Sequence, residues 1–189
     1  MSALGLGARA ALGLGTDPRS ALRRELKLRY KANEAVLTGS GTQALELAIH
    51  AVASPTRTTG PVALPAYGCF DIATAAVGAR RPLALYDLDP DTLGPDPDSL
   101  RRAFACGATS AVVVSLYGLP PEWDAVSRCA ADAGATLIED AAQGAGGSWH
   151  GSPLGALAEV SVLSFGRGKG WTGGAGGALL LRGKCAVPE

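Results

Sequence analysis

The 189-residue sequence has no surplus of basic side chains, few charged residues and no long apolar run. Lys plus Arg and Asp plus Glu number 17 each, and charged residues make up only 18% of the chain. Binding to nucleic acid or to an anionic membrane depends on an excess of Lys and Arg. Apolar runs also fall short of the length that spans a bilayer. We therefore expect neither a nucleic-acid partner nor a membrane association.

Cysteine and histidine are also scarce and scattered. The candidate metal ligands of these two types are Cys69, Cys106, Cys129, Cys185, His50 and His150. No CxxC pair occurs among them, so the spacing predicts no zinc site, and we expect no metal. A core this apolar does not need disulfides, which favours reduced thiols and a cytoplasmic location.

Three nucleotide-binding or nucleophile motifs are missing as well. Lys169 is followed by Gly170, where a P-loop requires Ser or Thr, and the upstream glycine position holds Leu163. Neither a G-x-S-x-G elbow nor a G-x-G-x-x-G fingerprint after a first strand is present. P-loop hydrolysis, serine-nucleophile hydrolysis and dinucleotide binding are thereby disfavoured.

What the sequence does contain is the pattern of one α/β domain with a sizeable core. Apolar residues make up 47% of the chain, and β-branched runs alternate with helix-like segments. This alternation predicts three layers, with helices on both faces of a mostly parallel, seven-stranded sheet. The predicted strands are Ala35–Thr38, Val62–Leu64, Leu83–Asp87, Ala111–Leu116, Ala135–Glu139, Val160–Ser164 and Ala178–Leu181.

The predicted helices divide the chain into an N-terminal part, residues 1–34, and a domain of residues 35–189. Ala3–Gly15 is apolar but interrupted by glycines and Arg9, so we expect a loose arm and not a signal peptide. A helix from Asp17 to Lys31 would be capped by Asp17. Further helices are expected from Thr42 to Ala53, after Gly68 to about Val77, over Asp98–Ala105 and over Pro121–Ala133.

Ligands of open α/β sheets bind beyond the carboxyl ends of the strands, and four segments there carry suitable side chains. The first is Ser40-Gly41-Thr42, between a strand and a helix. Gly41 allows close approach of an anion to the backbone, and Thr42 adds a hydroxyl at a helix N-terminus. The alternative is a capped helix start without a ligand.

The second segment runs from Thr136 to Gln143 and delivers two acids at a strand end. Strand alternation sends Glu139 and Asp140 to opposite faces, so they are not expected to form a catalytic carboxylate pair. Asp140 could accept a hydrogen bond from a protonated ring nitrogen, with Gln143 reaching the same ligand. The alternative is that Asp140 caps the following turn.

The third segment ends a strand at Ser164 and continues into a glycine-rich loop with Lys169. A partly desolvated lysine amine can form a Schiff base with an aldehyde cofactor. The alternative is an ordinary exposed lysine. Phe70, after the second strand, forms the fourth segment; its ring could lie against a planar cofactor or be ordinary core.

Taken in order, these motifs resemble the DegT/DnrJ/EryC1/StrS aminotransferases, over about Leu37 to Leu181. The matching segments are Ser40-Gly41-Thr42, Pro65-Ala66-Tyr67, Asp87–Leu93, Glu139–Gln143 and Ser164-Phe165 with Lys169. The resemblance implies the large domain of pyridoxal-phosphate (PLP) enzymes of fold type I. It also implies a homodimer, with an amino donor such as glutamate and a nucleotide-linked keto sugar as the acceptor.

The resemblance also implies a role for each candidate residue. Lys169 would form the Schiff base with PLP and later carry the proton at the substrate carbon. Asp140 would keep the pyridine nitrogen protonated, and Gln143 would contact the side of the ring that bears the phenolic oxygen. Gly41, Thr42 and Ser164 would hold the phosphate. Phe70, or alternatively Cys69, would stack on the ring.

The sequence departs from the family in ways that leave other functions open. We expect the smaller C-terminal domain of the family to be absent. The chain reads Val114-Ser115-Leu116-Tyr117-Gly118 where the family usually has a histidine-containing turn, and the segment Gly173-Gly174-Ala175-Gly176-Gly177 lacks the family's customary glutamate. The alternatives are a non-catalytic remnant that acts as an interaction module, and a PLP enzyme with another reaction, such as a dehydratase or lyase.

Overall fold

The structure is a computed structural model that describes residues 17–53 and 60–183. The expected N-terminal arm, Ala3–Gly15, lies outside the described residues. The helices are α1 Pro18–Arg29, α2 Gly41–Val52, α3 Phe70–Gly78, α4 Pro97–Ala105 and α5 Trp123–Asp132, with a 3-10 turn at Leu116–Gly118. The strands are β1 Glu34–Thr38, β2 Val62–Pro65, β3 Leu83–Tyr86, β4 Ser110–Val114, β5 Thr136–Asp140, β6 Ser148–Trp149, β7 Ser152–Pro153, β8 Val160–Ser164 and β9 Gly177–Leu181.

Seven of these strands form one sheet in the order β1-β9-β8-β5-β4-β2-β3. Neighbouring strands from β8 to β3 are parallel, whereas β9 runs antiparallel to both β8 and β1. Thr38 and Ser164 both pair with Gly177, so β1 and β8 end at the same level on either side of β9. The carboxyl ends of β1, β2, β4, β5 and β8 therefore share one edge of the sheet.

Helices cover both faces of the sheet because the inner strands are apolar on both sides. Helices α2 and α3 pack on one face with β-strand residues such as Val112, and α4 and α5 pack on the other with Val113. Leu26 and Tyr30, from the end of α1, lie in a third apolar cluster with Leu163 and Leu180. These layers confirm the predicted three-layer, mostly parallel, seven-stranded fold.

The start of α1 follows the predicted capping. The Asp17 carboxylate accepts hydrogen bonds from the N–H groups of Arg19 and Ser20, at 3.2 Å each, and Pro18 occupies the first turn.

No helix in the described ranges combines the length and apolar character that crossing a bilayer requires.

Two local features differ from the sequence-based expectation. The prediction that β4 continues to Leu116 is wrong: the strand ends at Val114, and Tyr117 takes a left-handed conformation with φ 54°. A separate hairpin, β6–β7, was not predicted; His150 and Gly151 form its tip, and both have positive φ. The hairpin lies outside the seven-stranded sheet.

Candidate active site

A cavity of about 290 Å³ opens at the carboxyl edge of the sheet. It brings together six of the seven predicted site residues: Gly41, Thr42, Asp140, Gln143, Ser164 and Lys169. Phe70 is not among its lining residues. The cavity thus draws on chain segments more than 120 residues apart in sequence, spanning from Gly41 to Lys169.

The sheet topology explains why these residues meet. Strands β1, β8 and β5 lie close together in the sheet, and their carboxyl ends lead into Gly41, Lys169 and Gln143, respectively. Strand β9 separates β1 from β8, but its first residue, Gly177, leaves room for the turn at Ser40 and Gly41. A Cβ atom at position 177 would lie 2.7 Å from the backbone N of Gly41.

Asp140 is a buried carboxylate that lines the cavity; its side chain is only 7% exposed. Burial raises its pKa, and this is opposed by the Ala142 N–H, which donates to Oδ1 at 2.9 Å, and by the Lys169 ammonium. Its second oxygen, Oδ2, accepts no hydrogen bond from the part of the chain that the structure describes. One carboxylate oxygen is therefore held in place, and the other remains available to a ligand.

Glu139 lies on the opposite face of the sheet, as strand alternation predicted. It is completely buried, and it accepts hydrogen bonds from the N–H groups of Gly155 and Leu157 and from the Ser161 hydroxyl. Burial raises its pKa, and these donors together with Arg182 oppose the shift. The two adjacent acids thus have different surroundings and do not form a pair.

Lys169 lines the same cavity from the loop that follows β8, and its side chain is half-buried. Lys169 and Asp140 line one cavity and therefore lie on the same side of the sheet, where the ammonium opposes the rise in the Asp140 pKa. Within residues 17–53 and 60–183, the ammonium makes no hydrogen bond or ion pair. The amine is therefore free to react with a ligand beside the buried acid.

An anion cradle lies at the start of α2. The Ser40 hydroxyl accepts the N–H of Gln43 at 3.1 Å, which fixes the first turn. The N–H groups of this turn lack partners within the helix, and the helix dipole favours negative charge there. Gly41 lies tight against the end of β8, because a Cβ atom at that position would be 2.8 Å from the Ser164 Cβ and 3.0 Å from its Oγ. Only glycine therefore fits at position 41 without displacing Ser164.

Gln143 is oriented by the turn that follows β4. Its Oε1 accepts the backbone N–H of Tyr117 at 2.7 Å, so its amide N–H groups remain available to the cavity. Sequence reasoning identified Gln143 but missed Tyr117, whose hydroxyl lies 3.1 Å from that of Tyr67. The sequence signal at Tyr117 was its place before Gly118 in a turn. That signal did not predict the left-handed backbone conformation of Tyr117.

The structure does not place Phe70 in the cavity. Phe70 begins α3 and is 79% exposed, whereas the preceding Cys69 lines the cavity wall. Of the two stacking candidates, Cys69 is therefore the one that lines the cavity. Asp71 and Ile72 also line this wall and were not singled out from the sequence.

The sheet order and the cavity define the protein's class: the fold is that of the PLP-dependent aminotransferases of fold type I. The crystal structure of 3-amino-5-hydroxybenzoic acid synthase matches 94% of this chain with a TM-score of 0.83 and 28% identity, over 47% of that protein. A structure of DesI in the presence of its TDP-sugar product matches 93% of the chain with a TM-score of 0.82 and 27% identity, over 45% of that protein.

The chain belongs to the DegT/DnrJ/EryC1/StrS aminotransferase family, whose model matches residues 17–185. It is 30% identical over 168 residues to 3-amino-5-hydroxybenzoate synthase of Amycolatopsis mediterranei, a match that covers 89% of this chain and 43% of that protein. It is 32% identical over 147 residues to L-glutamine:2-deoxy-scyllo-inosose aminotransferase of Streptomyces fradiae, covering 78% and 34%, respectively. The chain therefore spans less than half the length of these curated relatives.

Proposed function

We propose that the cavity binds PLP and that the protein transfers an amino group to a keto sugar or a related carbonyl compound. The observation that carries the proposal is that the Lys169 amine, the Asp140 carboxylate and the Gly41–Ser164 corner line one cavity. An aldehyde cofactor with a ring nitrogen and a phosphate needs these three groups. The residues present therefore fit PLP.

When bound, PLP supplies an aldehyde carbon and an electron-withdrawing ring. Asp140 would accept a hydrogen bond from the ring nitrogen through its free Oδ2 and so hold a proton at that nitrogen. This contact also compensates the buried carboxylate, whose pKa is raised by burial. Gln143, held by Tyr117, would donate from its amide to the oxygen side of the ring.

Lys169 would bind the cofactor through Nζ and then move a proton at the substrate carbon. A half-buried amine beside a carboxylate is suited to both tasks, because it is near the reacting carbon and only partly hydrated. Thr42, Ser164 and the first turn of α2 would hold the phosphate, whose charge complements the helix dipole.

The names of the relatives support a proposal for the substrate class, because they specify an aminated hydroxybenzoate, an inosose and a TDP-sugar. These names favour a polyhydroxylated or cyclic carbonyl acceptor, with glutamate or glutamine as the donor. We further propose that residues 35–189 form the PLP-binding domain, preceded by an N-terminal arm and helix in residues 1–34. The active form would be a homodimer with its sites at the subunit interface.

Absorbance spectra after incubation with PLP test the proposal. The protein should gain the visible band of lysine-bound PLP, and Lys169→Ala should abolish it. Lys27→Ala is the matched control, because Lys27 is exposed on α1 and should leave the band unchanged. A wild-type protein that gains no band would contradict the proposal. Bound PLP without amino transfer from any tested donor would instead favour a dehydratase or lyase.

A further inference from the structure

The loop that carries Lys169 contains six glycines from Gly166 to Gly176, so its own sequence does little to fix the lysine. Lys169 itself makes one backbone hydrogen bond, from its N–H to the Gly166 carbonyl at 3.3 Å. The position of the amine must therefore depend on contacts that the loop makes with the rest of the fold.

Trp171, two residues after Lys169, makes such contacts with the end of α1. Its ring lies edge-on to the Tyr30 ring, with centroids 5.8 Å apart and an interplanar angle of 62°. The guanidinium carbon of Arg29 lies 4.4 Å above the centroid of the Trp171 ring. An edge-to-face aromatic pair and a cation–π contact both stabilise this arrangement.

The adjacent residue, Gly170, fixes the same part of the loop from the other side. A Cβ atom there would lie 2.4 Å from the Ala145 carbonyl oxygen, so the backbone of the loop is packed directly against the segment that follows Gln143. The backbone is thus held before Lys169, at Gly166, and after it, at Gly170 and Trp171.

Tyr30 is a rigid support for Trp171. The residue is 1% exposed, and its carbonyl accepts hydrogen bonds from Arg182 Nε at 3.0 Å and from Arg182 Nη2 at 2.9 Å. Arg182 also donates to the Ser161 hydroxyl, which donates to Glu139. Glu139, on the other face of the sheet, is therefore connected through Ser161 and Arg182 to Tyr30, which supports the loop of Lys169.

We infer that Trp171, clamped by Arg29 and Tyr30, is a positioning residue that holds the Lys169 amine beside Asp140. This inference rests on the proposed function for its catalytic meaning, but the geometry that it describes does not require a bound cofactor. Trp171 does not line the cavity, and its ring contacts Tyr30 and Arg29. Its influence on the site would therefore pass through Lys169.

Reductive methylation of the cofactor-free protein with formaldehyde, mapped by mass spectrometry, tests the inference. The measured quantity is the labelling rate of Lys169 divided by that of Lys27 in the same sample. In the wild-type background, Asp140→Asn should change this ratio severalfold, because the amine and the carboxylate line one cavity and opposite charges attract at close range. In a Trp171→Leu background, the same Asp140→Asn change should have little effect, since the amine no longer stays beside residue 140.

Trp171→Phe keeps an aromatic ring on Tyr30 and should restore most of the Asp140 effect. Trp149→Leu is the matched control: Trp149 is also half-buried and stacks on a neighbouring ring, but it lies in the hairpin β6–β7. It should leave the Asp140 effect unchanged. If Trp171→Leu does not fold, Arg29→Ala, a change at an exposed position that removes the guanidinium over Trp171, should weaken the effect in the same direction.

An Asp140 effect of the same size in the wild-type, Trp171→Leu and Arg29→Ala backgrounds would overturn the inference. A protein that takes up no PLP would instead contradict the proposed function, and the labelling experiment would still decide the role of Trp171. The two failures are therefore distinguishable.

Discussion

Replacing Gly41 with alanine tests how tightly the anion cradle is built. The new methyl group would lie 2.8 Å from the Ser164 Cβ and 3.0 Å from its Oγ, and both distances are below normal contact. Inserting a methyl group into a packed site costs about 1–3 kcal/mol. Alanine recovers part of this cost, because it is favoured over glycine in helices by up to about 1 kcal/mol. With the full helix-propensity gain, we expect a net loss of up to about 2 kcal/mol in the free energy of unfolding, together with weaker PLP binding.

Urea denaturation and an absorbance titration with PLP measure the two effects. Adding Ser164→Gly to Gly41→Ala should recover stability, because the Cα of residue 164 then lies nearest to the new methyl group, at an ordinary 3.5 Å. PLP affinity should stay low, because the Ser164 hydroxyl is lost. Gly68→Ala is the matched control, since its nearest neighbour is the Ile72 Cδ1 at 3.5 Å. A Gly41→Ala protein with wild-type stability and affinity would refute the reasoning.

Two further predictions concern the buried charges. Because burial raises the pKa of Asp140, its contribution to stability is present below the unfolded-state pKa of about 3.9 and is lost as the pH rises through the raised value. Asp140→Asn should therefore leave the cofactor-free protein more stable than wild type at neutral pH but not at acid pH, while weakening PLP binding. Urea denaturation at several pH values tests this prediction. Equal stability of the two proteins at all pH values would contradict it. Arg182→Ala should lower the free energy of unfolding by about 3 kcal/mol, because it leaves Glu139 buried without a cation. Arg101→Ala, which breaks only an exposed ion pair with Asp98, should cost less than about 1 kcal/mol, and an equal cost for both changes would contradict this account.

The site was predictable where strand ends dictate it. Apolar runs ending at Thr38, Asp140 and Ser164 define parallel strands, and parallel strands place their carboxyl ends at one edge. The same alternation separated Glu139 from Asp140 correctly, because successive side chains of a strand face opposite ways. The family match over residues 17–185 confirmed the resemblance that these motifs carried.

Local geometry at element ends was less predictable. Whether Cys69 or Phe70 faces the cavity depends on the three-residue turn before α3, and a shift of one residue there moves a side chain from the cavity to solvent. The support of the lysine loop was also hidden. Arg29 and Trp171 are 142 positions apart in the sequence, and no periodic pattern relates them. The same holds for Tyr30 and Arg182, whose contact joins the residue after α1 to the residue after β9.

Covalent trapping tests most directly whether the Lys169 amine, the Asp140 carboxylate and the cradle form one PLP site. The protein is incubated with PLP, reduced with borohydride, digested and mapped by mass spectrometry. We predict that the reduced cofactor is attached to Lys169 and that Gly41→Ala and Asp140→Asn each decrease its yield. Attachment mainly at Lys27, Lys31 or the amino terminus, with no dependence on Gly41 or Asp140, would contradict the account.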